Sequence, residues 1–213
     1  MIIGMQTYTL KPRSVGSVVK MFEQALPART ALSPLAAFWR TEVGVLNQII
    51  MIWPYASVDE RNRVRAAESK IAGWPLELRD HVLEESTRLW TPAPFSPALT
   101  PRRLGNIYEV RIYDYEAGCI PWVIDSWNEI LEERLKYSPL VGAWYTDTGP
   151  VHQWIHIWAY ENAGERERIR AETTKAGIWP MTVVDQRLKR ETKYLPERMQ
   201  NMLAVPAPFS PLR

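Results

Sequence analysis

The sequence is short of most of the residues that mark familiar chemistries. It has one cysteine, Cys119, and three histidines in 213 residues. A single cysteine excludes an internal disulfide and any multi-cysteine metal site, and a reducing, cytoplasmic setting is the simplest expectation. Cys119 reads as a small residue at a helix start. There is no surplus of one charge: the formal net charge is +2, with both signs interleaved. That excludes the basic footprint of a nucleic-acid or anionic-membrane partner. No apolar run approaches the roughly 20 residues of a membrane helix. The opening "MIIGMQTYTL" has no basic start before an apolar core and no Arg-rich amphipathic pattern, so no targeting segment is read there. Glycine-rich phosphate loops, nucleophile motifs and zinc spacings are missing too.

What is present is a repeat. At an offset of 105, residues 2–75 align with 107–180 without a gap, with 24 identities in 74 pairs. Chance at ordinary composition would give roughly four or five. Ser33-Pro34-Leu35 meets Ser138-Pro139-Leu140, Trp53 and Tyr55 meet Trp158 and Tyr160, and Trp74-Pro75 meets Trp179-Pro180. Glu60, Arg61, Arg63 and Arg65 meet Glu165, Arg166, Arg168 and Arg170. Both copies end in "PAPFSP", and the second carries nine extra residues around "PERMQNMLA" before that ending. Two domains follow, 1–99 and 105–213, joined by a linker near 98–104.

Each copy reads strand, helix, strand, strand, helix, strand. In the first, strands fall near 2–10, 35–42, 46–53 and 82–90, with helices near 15–31 and 58–72. In the second, strands fall near 107–115, 140–147, 151–158 and 187–195, with helices near 120–136 and 163–177. Ser57 with Glu60 and Asn162 with Glu165 are the capping boxes of the second helices. The order βαββαβ is ferredoxin-like, an α+β class with both helices on one sheet face. Trp39, Trp53, Trp144 and Trp158 are assigned to the other face, which a second sheet would cover. The charged helices "DERNRVRAAESK" and "GERERIRAETTK" read as solvated surfaces with i,i+4 ion pairs. Arg61, Arg65, Arg166 and Arg170 remain available for a partner.

The stretches "YEVRIYDY" (108–115), "VGVLNQIIMIWPYASVDERNRVRAA" (43–67), "HQWIHIWAYENAGERERIRAE" (152–172) and both "PAPFSP" endings resemble the NIPSNAP family of the dimeric α/β-barrel superfamily. The resemblance spans nearly the whole chain, twice. It implies two tandem ferredoxin-like units whose antiparallel sheets close into a barrel around a cavity. It implies little about activity: the superfamily includes haem-degrading and cofactor-free monooxygenases, chlorite-decomposing haem enzymes and stress-response proteins, and fold does not choose among them.

The two copies are not equivalent. Gly4, Gln6, Asn47 and Met51 stand where the second has Glu109, Arg111, His152 and His156. By strand alternation Glu109, Arg111 and Tyr113 share a face, Trp144 and Thr146 share one, and His152, Trp154, His156 and Trp158 share one. If these coincide, they line the barrel interior. One reading is a satisfied polar network that fixes packing, with Glu109 and Arg111 as the buried pair. Another is a pocket for a small aromatic or polyketide-like molecule, with Glu109, Trp144, His152, Trp154 and Trp158 as ligand contacts. In an enzyme reading His156 is the general base, Arg111 polarises a substrate oxygen and Tyr113 donates a hydrogen bond. The reaction would be cofactor-free or haem-dependent oxygenation, or isomerisation. Two histidines about 13 Å apart on an extended strand do not share one metal, and no cofactor is called for. A non-catalytic assembly protein is the other class. The internal pair supplies a pseudo-dimer, and a homo-oligomer is compatible with it.

Overall fold

The computed structural model describes residues 1–146 and 148–213 in full. The first copy forms β1 (Ile2–Leu10), α1 (Val15–Thr30), β2 (Ala37–Val43), β3 (Gln48–Tyr55), α2 (Val58–Glu68) and β4 (Val82–Pro92). The second forms β5 (Ile107–Asp114), α3 (Ile120–Leu135), β6 (Leu140–Thr148), β7 (Gln153–Tyr160), α4 (Ala163–Lys175), α5 (Met181–Arg187) and β8 (Arg198–Pro206). The strands hydrogen-bond in the order β1-β3-β2-β8-β5-β7-β6-β4 and the order closes, giving an eight-stranded barrel. Within it, β4-β1-β3-β2 and β8-β5-β7-β6 are the two ferredoxin-like sheets.

The capping boxes form as read. The Glu60 amide donates to Ser57 Oγ at 3.1 Å, and the Glu165 amide to Asn162 Oδ1 at 2.9 Å. Each glutamate carboxylate also accepts from the residue before its cap, Ala56 or Glu161. The helix starts are thus fixed by side chains that take orphan amide protons.

The last strand departs from expectation. Residues 181–187 form a helix and the strand begins at Arg198. The nine-residue insertion displaces the pairing segment along the chain, so extending the repeat offset past Pro180 places the strand too early.

By chain contacts the molecule groups into two compact units that exchange their tails. One compact unit comprises Met1–Thr91, Leu99–Arg103 and Met202–Arg213, and the other Pro92–Ala98 and Leu104–Asn201. Each unit therefore contains the "PAPFSP" segment of the opposite repeat. In unit 2, Ser96 Oγ accepts from the Ala143 amide and from Trp144 Nε1, both at 3.1 Å. In unit 1, Ser210 Oγ accepts from the Phe38 amide at 3.0 Å, and Trp39 Nε1 donates to the Leu212 carbonyl at 3.0 Å. Phe95 lies over Trp127 and Phe209 against Phe38.

The core of each unit lies between its sheet and its helices. In unit 1 it includes Tyr8, Phe22, Leu26, Phe38, Met51 and Trp53; in unit 2, Trp127, Ile130, Ala143, Trp154, Trp158 and Trp179. Trp53 and Trp158 thus face the helices, not the opposite side as expected. Trp39 and Trp144 lie opposite Ile50 and Ile155 and take the other face. The register of β6 shifts between Leu140 and Gly142, which resets its alternation relative to β7.

Candidate functional site

In unit 2, the register pairs Glu109 with Trp158, Arg111 with His156 and Tyr113 with Trp154. These six side chains share one face, and it faces α3 and α4, not the side away from the helices. Trp144 is not among them. His152 precedes β7 in a turn, with φ 61°, and lines a separate shallow recess with Val151 and Tyr145. Both faces of β7 are buried along its whole length, so hydrophobicity could not tell which one meets the helices.

Glu109, His156, Trp154 and Trp158 are buried at the centre of the cluster, with Tyr113, Arg166 and Arg170 partly exposed at its edge. Glu109 is 0% exposed and accepts from Arg111 at 2.9 Å and Arg166 at 2.5 Å, with Arg170 3.8 Å away. Arg111 Nε donates to the Tyr113 hydroxyl at 2.5 Å. Burial alone would push the Glu109 carboxyl pKa up. The Arg166 hydrogen bond and the charges of Arg111, Arg166 and Arg170 outweigh it and hold the value below the ordinary one. His156 is also fully buried, and burial, then the nearby Arg111, Arg134 and Arg170 charges, push its pKa far down. Its Nδ1 accepts from Trp158 Nε1 at 2.9 Å. The neutral ring therefore carries its proton on Nε2. As packed among Trp127, Trp158 and Trp179, it has no lone pair free for a substrate.

Two features of this cluster were not read from the sequence. Arg166 and Arg170, assigned to a solvated helix surface, reach inward to Glu109. Arg134 is buried, donates to Ser138 and Tyr160, and stacks 4.0 Å above Trp158. Its counterpart Arg29 repeats this with Ser33, Tyr55 and Trp53 at 4.2 Å. The signal was the identity of these arginines in both copies, each followed by serine four residues later.

Unit 1 keeps the frame and omits the filling. Gly4 lies opposite Trp53 as Glu109 lies opposite Trp158. Gln6, Phe22 and Met51 replace the larger or charged Arg111, Trp127 and His156. After Trp74-Pro75 the chain runs irregularly to β4, where unit 2 has α5. A cavity of about 550 Å³ results, between β1, β3, β4 and the two helices. Its apolar walls include Phe22, Trp53, Trp74 and Leu78, and its polar groups include Gln6, Tyr8, Arg61 and Arg65. The Tyr8 hydroxyl accepts from Gln6 at 2.6 Å, and burial, then the Glu85 charge, drives its pKa up, so it stays protonated.

Fold and site together define a tandem ferredoxin-like α+β barrel in which the sheet–helix space over Glu109 is filled and the equivalent space over Gly4 is open; unit 2 has a cavity of its own, about 470 Å³, elsewhere, between α3, α5 and the 190–194 segment. The NIPSNAP family model matches residues 3–97 and 108–211, and the chain belongs to that family. It is 26% identical to human Protein NipSnap homolog 3B over 98% of this chain and 84% of that one. It is 30% identical to the Dictyostelium discoideum NipSnap homolog over 68% and 65%. Among solved structures, a proposed monooxygenase from Lactobacillus acidophilus superposes with a TM-score of 0.66 over 96% of this chain and 92% of that one. At 8% identity that likeness concerns the fold alone.

Proposed function

We propose that this NIPSNAP protein binds a small organic molecule, aromatic in part, in the cavity of unit 1. The observation that carries this reading is the contrast between repeats. The same sheet-and-helix frame is filled by Glu109, Arg111, Trp127 and His156 in unit 2 and left open by Gly4, Gln6, Phe22 and Met51 in unit 1. A cavity of that volume, with aromatic walls and convergent polar and charged groups, has room and recognition chemistry for a small ligand. Unit 2 then serves as the rigid counterpart, with Glu109, Arg111, Tyr113 and His156 fixing its packing. The buried thiol of Cys119 suits the reducing, cytoplasmic setting expected from the sequence. A monooxygenase or isomerase reading rests on fold likeness only.

The test is a metabolite screen by mass spectrometry on the purified protein and on Thr87→Trp. Thr87 is exposed and lines the cavity from β4, so an indole there fills the space without disturbing the core. Small molecules retained by the parent and lost from the variant support the reading. Identical profiles from the two folded proteins contradict it.

A further inference from the structure

Resting on that reading, we infer that the ligand of unit 1 is a carboxylic acid whose carboxylate stands over Gly4, between Arg61 and Arg65. Unit 2 shows what those positions are built to hold. There the Glu109 carboxylate accepts from Arg166 and lies near Arg170, the counterparts of Arg61 and Arg65. In unit 1 both arginines are retained on α2 and line the cavity, but the carboxylate between them is gone, because Gly4 has no side chain. Neither Arg61 nor Arg65 has an ion pair among the described residues; Arg61 donates only to its neighbour Asn62. Of the carboxylates lining the cavity, Glu68 is held in an ion pair, while Glu85 is exposed and bonded to a neutral amide. Glu68 pairs with Arg29 at 2.5 Å, and Glu85 accepts from Gln6 at 2.6 Å. Glu77 and Arg79 are exposed at the rim and offset each other in charge. Two guanidiniums flanking a missing carboxylate, above an aromatic floor, match an aromatic acid better than a neutral or cationic ligand.

Calorimetric titration with 2-naphthoate and its neutral counterpart 2-naphthalenemethanol tests this on the full chain. The acid is expected to bind the parent at least about tenfold tighter than the alcohol. Arg61→Gln and Arg65→Gln should each weaken the acid by about ten- to a hundredfold and leave the alcohol unchanged. Gly4→Glu, which supplies the carboxylate internally, should abolish binding of the acid. An added Cβ there approaches Tyr55 to 3.3 Å, so the arginine variants decide the matter if this one folds poorly. Equal affinities for acid and alcohol, unmoved by either arginine variant, overturn the carboxylate and leave the cavity reading standing. If neither probe binds the parent, the carboxylate inference is overturned; if Thr87→Trp also retains the parent's metabolites, the cavity reading goes with it.

Discussion

Arg166 on α4 donates to Glu109 on β5, whereas its counterpart Arg61 on α2 lines a cavity together with Gly4, the counterpart of Glu109. Glu109 is one of the groups that fill this space in unit 2 and are missing from unit 1, and its energetics can be measured. Replacing Glu109 with Gln leaves Arg111 buried without a counter-charge. Breaking a buried pair in this way costs about 3–5 kcal/mol, which a urea melt near pH 7 should report.

The same carboxylate sets a pH dependence. Its folded pKa lies below the unfolded value, so its contribution is complete above the ordinary glutamate value of 4.5 and is lost as pH falls through the lower folded value. The parent should lose stability across that acid range more steeply than Glu109→Gln. Parallel stability curves for the two would show that the guanidiniums do not hold the carboxyl down.

His156 acts at higher pH. Its folded pKa is far below the ordinary value of 6.5, so the unfolded chain takes up a proton that the folded chain refuses. Stability therefore falls as pH drops below about 6.5, by up to about 1.4 kcal/mol per pH unit. His156→Met, which copies the residue at position 51, should flatten that slope between pH 6.5 and 5.

Trp158 is buried beneath Arg134 and donates to His156. Trp158→Ala should cost about 3–5 kcal/mol, as should Trp53→Ala beneath Arg29. The exchanged tails make a smaller contribution. Ser96→Ala leaves two buried donors, the Ala143 amide and Trp144 Nε1, without their shared acceptor. A loss of about 1–3 kcal/mol in a urea melt is expected.

Much of this is legible in the sequence. The 105-residue offset marks the two repeats, strand alternation groups Glu109 with Arg111 and Tyr113, and the capping boxes locate α2 and α4. Three things were not legible, each for a physical reason. The helix-facing side of β7 was ambiguous because Ile155 and Ile157 are as apolar as Trp154 and Trp158. Arg166 and Arg170 read as solvated because their partner lies 57 and 61 residues earlier in the chain. The open space over Gly4 was overlooked because a cavity is made by small side chains, and Gly4 and Gln6 look like plain scaffold beside a glutamate and an arginine.

The most direct measurement is a crystal structure of the protein soaked with 2-naphthoate. The account predicts one bound molecule in unit 1, its ring against Trp53 and Trp74 and its carboxylate between Arg61 and Arg65 above Gly4. Density for the acid beside Glu109 and His156 in unit 2, or an empty unit 1 at saturating acid, would contradict it.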